Sequence, residues 1–119
     1  IKKLSDMLGL GTSGVVTIPT DENFCIRTDL LEKKVIELES KKTLVIAIVG
    51  VAGTTETGSV DNLEEIARIC KKYRIFFHVD AAWGGPFIFS EKYKKKLSGI
   101  ELADSITIDG HKQLYTPMG

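Results

Sequence analysis

Residues 43–80 read TLVIAIVGVAGTTETGSVDNLEEIARICKKYRIFFHVD and contain a complete strand–helix–strand pattern. The apolar runs at residues 43–49 and 75–79 are continuous rather than alternating, which is typical of strands buried on both faces of a parallel sheet. Between them, residues 61–73 are predicted to form a helix. Its apolar side chains recur with helical spacing on one stripe: Leu63, Ile66, Ala67 and Cys70. This alternation predicts an α/β fold with a right-handed crossover.

The same pattern continues on both sides of this unit. A second amphipathic helix is predicted over Thr28–Ser40, and two shorter strands are predicted at residues 15–18 and 105–108. Asp61 followed by Glu64 predicts a capping box at the start of the central helix. The predicted fold class is therefore α/β, with a mainly parallel sheet flanked by helices.

The composition is that of an ordinary soluble globular protein, with 43% hydrophobic and 27% charged residues in a chain of 119. Sixteen basic residues balance sixteen acidic ones, so the charge gives no support for binding nucleic acid or an anionic membrane. The basic cluster at residues 92–96 is interpreted as a solvated helix face, with contact to a phosphate or a partner as the alternative.

Membrane and export signals are not visible in the sequence. The apolar runs are too short to cross a bilayer, and the first residues do not read as a signal peptide. Cys25 and Cys70 are far apart and have no metal-ligand spacing, which favours two reduced thiols in a cytoplasmic protein without a metal site.

Both ends of the chain suggest a piece of a longer protein. The chain begins Ile-Lys-Lys without a methionine and stops at Gly119, directly after its densest cluster of motif residues. Because domains rarely end beside a ligand site, we expect residues 1–119 to be the central part of a larger domain.

Candidate functional residues follow three of the predicted strands. In parallel sheets, ligands bind beyond the carboxyl ends of the strands. Residues 50–58 combine glycines with small hydroxyl residues, which let backbone approach a ligand, although a plain turn has the same composition. Asp80 ends a buried strand, where a carboxylate is costly unless it is paired or caps a turn. Lys112 follows the next strand as either an amine nucleophile or a surface lysine.

Taken together, these residues form a site that can grip a flat aromatic aldehyde. The amine of Lys112 condenses with the aldehyde, and the carboxylate of Asp80 keeps a ring nitrogen protonated, which makes the ring an electron sink. Ala82, two positions after the aspartate, offers a methyl group to one face of the ring.

These motifs resemble those of the group II pyridoxal-phosphate-dependent amino-acid decarboxylases. The resemblance rests on HVDAAW at residues 78–83, Ser-Ile at 105–106 and His-Lys at 111–112, and it covers nearly the whole chain. It implies the large domain of fold type I, pyridoxal 5'-phosphate as cofactor, and decarboxylation of an amino acid of the glutamate or aspartate type. It also implies a cytoplasmic homodimer whose subunits share active sites.

The resemblance assigns a role to each site residue. Lys112 holds the cofactor as a Schiff base and later serves in proton transfer, while Asp80 pairs with the pyridine nitrogen. Ala82 packs against the ring, Thr55 lies close to the cofactor and the aspartate, and His111 lies near the cofactor phosphate. The phosphate-binding segment and the small C-terminal domain of the family fall outside residues 1–119.

Two residues of this chain depart from the family pattern. Asp109 stands where the family often has asparagine, and Gln113 replaces a usual apolar or aromatic residue, which favours a bacterial glutamate or aspartate subfamily.

Two alternative functions remain open. The first alternative is another fold type I enzyme, an aminotransferase or a lyase. The second is an inactive fragment with only a binding role.

Overall fold

The computed structural model describes residues 2–117, except for the side chain of Leu4. The helices are α1 (Lys2–Met7), α2 (Thr28–Ser40) and α3 (Leu63–Tyr73), and the strands are β1 (Ala47–Val51), β2 (Phe76–Asp80) and β3 (Ser105–Thr107). Short 3-10 helices cover Thr12–Gly14, Gly85–Phe89, Lys94–Leu97 and Ile100–Leu102. None of the helices described here has both the length and the apolar character that crossing a bilayer requires.

The three strands form one parallel sheet in the order β1-β2-β3. Val51 pairs with Asp80, and Asp80 pairs with Thr107, so that the strands end side by side. The predicted α/β class, with a parallel sheet flanked by helices, is confirmed. Because the strands run in one direction, the loops that follow them all emerge at the same edge of the sheet.

The core lies between α3 and one face of the sheet. Leu63, Ile66 and Ile69 of α3 are buried against Phe77 and Val79 of β2. Burial alternates along β1 and β2, and the residues of the opposite face are half-buried or exposed. The prediction of strands buried on both faces is therefore confirmed for one face only, within residues 2–117.

The region at residues 15–18 does not form the predicted strand. The structure instead has a single antiparallel bridge between Thr20 and Ile26, closed by a turn in which the carboxylate of Asp21 accepts hydrogen bonds from the backbone of Asn23 and Cys25. A strand needs a neighbour for its N–H and C=O groups, and no described strand lies beside this segment.

The predicted capping box at Asp61 and Glu64 is wrong. The N-cap of α3 is Asn62, whose side-chain oxygen accepts from the backbone N–H of Glu65 at 3.1 Å. Asp61 is used elsewhere, because its two carboxylate oxygens accept from the backbone N–H groups of Ile26 and Val51, each at 2.7 Å. The carboxylate thus ties the segment before α2 to the end of β1.

An ion cluster joins α2 to α3 at the surface. Glu32 of α2 accepts from Arg68 and Lys72 of α3, both at 2.8 Å, and from the hydroxyl of Tyr73 at 3.3 Å. Hydrogen bonds from Lys72 and then Arg68 lower the pKa of the Glu32 carboxyl to about 2. These contacts fix the two helices against each other on the solvent side of the core.

The basic cluster at residues 92–96 lies on an exposed turn and short 3-10 helix. Lys94 pairs with Glu91 at 2.8 Å, and the amine of Lys92 lies over the ring of Tyr93 at 5.0 Å from its centroid. This arrangement agrees with the interpretation of the cluster as a solvated helical face.

Candidate active site

A cleft of about 230 Å³ opens at the carboxyl edge of the sheet. Its walls come from the segments that follow all three strands: Val51, Gly53, Thr54, Thr55, Glu56, Asp80, Ala82, Trp83 and Lys112. The structure therefore brings together four of the five site residues that the sequence singled out, namely Thr55, Asp80, Ala82 and Lys112.

Asp80 closes β2 with one carboxylate oxygen engaged in the following turn. Its Oδ1 accepts from the backbone N–H of Ala82 at 3.2 Å, and its backbone carbonyl accepts from Ala52 at 2.8 Å. Among residues 2–117, no hydrogen bond to Oδ2 is formed. The turn-capping interpretation and the ring-binding interpretation of Asp80 are thus compatible, since one oxygen serves the turn and the second is left for a ligand.

Two glycines bring the loops after β1 and β2 into backbone contact. A Cβ on Gly84 would lie 2.3 Å from the carbonyl oxygen of Ala52, and a Cβ on Gly53 would lie 2.8 Å from the Cα of Gly84. Gly53 also has a φ of 92°, which side-chain-bearing residues rarely adopt. The loop that carries Thr55 and the loop that carries Ala82 are consequently fixed against each other.

A triangle of hydroxyl groups shapes the loop that carries Thr55 and Glu56. The Oγ1 of Thr54 lies 2.6 Å from the Oγ1 of Thr57 and 3.1 Å from the Oγ of Ser59, and the last two oxygens are 2.9 Å apart. Each short contact restrains the turn between them, so Thr55 and Glu56 are presented to the cleft by a locally cross-linked loop.

The loop after β3 carries Lys112 and is folded around Asp109. Asp109 Oδ2 lies 3.5 Å from the Nζ of Lys112, while Oδ1 lies 3.2 Å both from the backbone N and from the Nδ1 of His111. The loop closes where Thr116 donates its backbone N–H to the carbonyl of Gly110 at 3.0 Å. Lys112 therefore reaches the cleft from a loop that has its own hydrogen-bonded shape.

His111 is not among the residues that line the cleft. Its ring faces Asp109, and its side chain is 49% exposed. The role beside the cofactor phosphate that the resemblance implied for it stays a prediction.

Sequence reasoning did not single out Glu56 as a cleft residue or Asp109 as the contact of Lys112. Trp83 also lines the cleft, and its ring packs edge-on against Phe87 with centroids 5.4 Å apart. Trp83 belongs to the HVDAAW motif, whereas Glu56 and Asp109 had only their position as a signal, since each lies within three positions of a predicted site residue.

His78 links β2 to β3 on the face of the sheet that bears Asp80. Its Nδ1 lies 2.7 Å from the hydroxyl of Ser105, and its Nε2 lies 3.3 Å from the hydroxyl of Thr107. Since Thr107 is the register partner of Asp80, this bridge holds the strand before Lys112 alongside the strand that ends in the aspartate.

The chemistry of the cleft fits a pyridoxal ring. An amine and a carboxylate line the same space, and Ala82 supplies a small side chain where a larger one would fill a cleft of only about 230 Å³. This volume is below the roughly 300–1,000 Å³ of a complete small-molecule site, and it suits a single flat ring. Among the described residues, no group of three His, Cys, Asp or Glu side chains is placed to hold a metal ion.

Comparison with known proteins agrees with this chemistry. The pyridoxal-dependent decarboxylase conserved domain matches residues 1–119. The chain is 52% identical over 119 residues to aspartate 1-decarboxylase of Aliivibrio fischeri, covering 100% of this chain and 22% of that protein. It is 43% identical over 115 residues to L-2,4-diaminobutyrate decarboxylase of Acinetobacter baumannii, covering 97% and 22%.

A solved structure is also similar. The crystal structure of mouse CSAD in apo form superposes with a TM-score of 0.95 at 35% identity, covering 98% of this chain and 25% of that chain. The chain thus spans about a quarter of the length of these relatives. By its matched domain, its similar relatives and its fold, this chain belongs to the pyridoxal-dependent decarboxylase family.

Proposed function

We propose that the protein containing this chain is a pyridoxal-phosphate-dependent amino-acid decarboxylase, and that residues 1–119 are the central part of its cofactor-binding domain. The observation that carries the proposal is the meeting of Asp80 and Lys112, from the ends of adjacent parallel strands, in one cleft beside Ala82 and Thr55. When bound there, pyridoxal phosphate supplies an electron sink for the pair of electrons left by the departing carboxylate.

Asp80 is the residue that holds the ring proton. Its Oδ1 is occupied by the backbone N–H of Ala82, which fixes the plane of the carboxylate and leaves Oδ2 for the ring nitrogen. A carboxylate in this position accepts a charge-assisted hydrogen bond and keeps the proton on that nitrogen. Ala82 then limits the cleft to the thickness of a flat ring.

Lys112 is the residue that holds the cofactor, through the nitrogen of its side chain. Its loop is anchored at Asp109 and Gly110, and Trp83 is the bulkiest described side chain that shares the cleft wall with the amine. Once the substrate amino group takes its place, the same amine is positioned to return a proton to the α-carbon of the substrate.

The substrate in this proposal is an acidic amino acid, of the aspartate or glutamate type. The support is the 52% identity to a protein described as aspartate 1-decarboxylase, against 43% to one described as a diaminobutyrate decarboxylase. A panel of aspartate, glutamate and 2,4-diaminobutyrate, assayed for release of carbon dioxide by the full-length protein, tests this choice. Preference for the diaminobutyrate would reverse it.

The proposal extends to assembly and location. We propose a cytoplasmic homodimer with shared active sites, as the resemblance implies. The small volume of the cleft supports shared sites alone, because it leaves part of a complete site to be supplied from outside residues 2–117. Light scattering of the full-length protein measures its oligomeric state, and mixing two differently inactivated variants tests whether the sites are shared.

The decisive experiment replaces Lys112 by alanine in the full-length protein. The variant should lose both the visible absorbance of lysine-bound cofactor and the release of carbon dioxide, because no other amine lines the cleft among the described residues. Lys96→Ala is the matched control, since Lys96 is exposed on the basic cluster and lies outside the cleft. A Lys112→Ala protein that kept the absorbance would refute the assignment. Amine transfer without carbon dioxide release by the unaltered protein would instead indicate an aminotransferase.

A further inference from the structure

Asp109 is the acidic residue paired with the functional amine, and neither the proposed chemistry nor the family pattern gives it a role. Its side chain is only 21% exposed, and its two oxygens face different partners. Oδ1 serves the local turn by accepting from the backbone N–H of His111, with the imidazole of the same residue at the same distance of 3.2 Å. Oδ2 is left for Lys112.

The contact between Asp109 and Lys112 is not required by the loop. The backbone already links these two residues, since the N–H of Lys112 donates to the carbonyl of Asp109 at 3.4 Å. The side-chain contact between Oδ2 and Nζ, at 3.5 Å, adds a charge pair on top of that turn. It engages the one atom of Lys112 that the proposed function needs to be free.

We propose that Asp109 is a positioning residue that holds the amine of Lys112 at the mouth of the cleft before the cofactor arrives, and that the fraction of amine free of Asp109 sets the rate of cofactor capture. The inference rests on the proposed function for its biological meaning. The contact between Oδ2 and Nζ involves only Asp109 and Lys112, which both lie in the loop after β3.

Capture of the cofactor requires the lysine to leave this pair. The ammonium gives up a proton to water, the nitrogen lone pair attacks the aldehyde carbon, and one water molecule leaves as the carbon–nitrogen double bond forms. While the amine stays beside Oδ2 of Asp109, at 3.5 Å, it is held away from the aldehyde carbon. The pair therefore lowers the fraction of free amine while keeping the side chain directed at the cleft.

The size of the effect follows from the exposure of the pair. Lys112 is 39% exposed and Asp109 21%, so the attraction is screened by water and resembles that of surface ion pairs. Such pairs change an equilibrium by about two- to five-fold. The fraction of unpaired Lys112 amine should therefore rise by the same factor when the charge on residue 109 is removed.

The test uses Asp109→Asn in the full-length, cofactor-free protein. Asparagine keeps the Oδ1 acceptor for the turn at His111 but removes the negative charge next to Lys112. Trace labelling with acetic anhydride, read out by mass spectrometry, measures the reactivity of each lysine amine. We expect labelling of Lys112 to rise about two- to five-fold relative to Lys95 and Lys96, which are exposed internal standards.

Stopped-flow absorbance after mixing with pyridoxal 5'-phosphate measures capture directly, and its rate should rise by the same factor. Asp109→Glu restores a carboxylate and should return both rates toward those of the unaltered protein. Glu39→Gln is the matched control, because it removes an exposed carboxylate of α2 that lies outside the cleft.

Unchanged labelling of Lys112 in Asp109→Asn would overturn the inference, as would an equal increase in Glu39→Gln, which would reveal a general charge effect. Failure of the proposed function has a separate signature. In that case the unaltered protein would not attach pyridoxal phosphate to Lys112 at all, whereas the labelling ratio between Asp109→Asn and the unaltered protein would still report on the pair.

Discussion

The body of β2 and its carboxyl end are held by different forces. Within the strand, Phe77 and Val79 lie in an apolar core under α3, with exposures of 1% and 0%. At the carboxyl end, Asp80 lies in a half-exposed cleft whose shape comes from hydrogen bonds and from glycine backbones in contact. The buried middle of β2 therefore stabilises the fold, whereas the carboxyl end of the strand carries the residue proposed for the chemistry.

The largest effect that separates the two regions should come from Phe77→Ala. Removing a buried phenylalanine costs about 3–5 kcal/mol of the free energy of unfolding, because burial is lost and a cavity remains. Phe76→Ala is the matched control, since Phe76 lies on the other face of β2 and is 49% exposed. Urea unfolding of the full-length protein measures both, and equal losses would contradict the assignment of the core to one face.

A smaller loss of stability, with a larger loss of binding, should follow from Gly84→Ala. The new Cβ would meet the carbonyl oxygen of Ala52 at 2.3 Å, so the two loops must move apart at a cost of about 1–3 kcal/mol. Because these loops carry Thr55 and Ala82, the affinity for pyridoxal phosphate, measured by equilibrium dialysis, should fall by about ten-fold for each 1.4 kcal/mol of binding free energy that the displaced loops lose.

Gly9→Ala is the control that separates backbone strain from loop contact. Gly9 lies outside the cleft and has a φ of 77°, but nothing lies within 4 Å of the position that a methyl group would take, so alanine there is strained without a clash. Its cost of about 1–2 kcal/mol should leave the affinity for the cofactor unchanged. If both variants weakened binding alike, backbone contact between the loops would not be what shapes the cleft.

The smallest effect concerns the ion cluster at Glu32, on the solvent side of α2 and α3. Its pKa is about 2 in the fold against an ordinary value of 4.5, so the unfolded chain takes up the proton first as the pH falls. The stabilising contribution is complete above about pH 4.5 and is lost as the pH falls toward 2. The difference in unfolding free energy between the unaltered protein and Glu32→Gln should shrink as the pH falls from about 4.5 toward 2. A difference that stayed constant over this range would contradict the role of the ion cluster.

Much of the fold is predictable from the sequence because it depends on local periodicity. The helix predicted at Thr28–Ser40 has its observed bounds, and the three parallel strands lie within a few residues of their predicted positions. The errors fall where long-range contacts decide: the strand predicted at residues 15–18 has no neighbouring strand, and one side chain binds a distant partner. Asp61 is predicted to cap α3, but it binds backbone groups of Ile26 and Val51, one of them 35 residues away.

The candidate site is predictable in its membership but not in its contacts. Asp80, Ala82 and Lys112 can be grouped because parallel strands end at one edge and because the residue types suit one cofactor. The pair between Asp109 and Lys112, and the entry of Glu56 into the cleft, depend on how loops of irregular shape fold back. No periodic signal in the sequence carries that information.

The two hydrogen bonds that the Asp61 carboxylate accepts connect the turn at residues 20–26 to the cleft. A single carboxylate joins the backbone of Ile26 to that of Val51, and Val51 is the first residue of the cleft wall. A change that displaces the turn at residues 20–26 is therefore transmitted through Asp61 to the carboxyl edge of the sheet, although none of the residues of that turn lines the cleft.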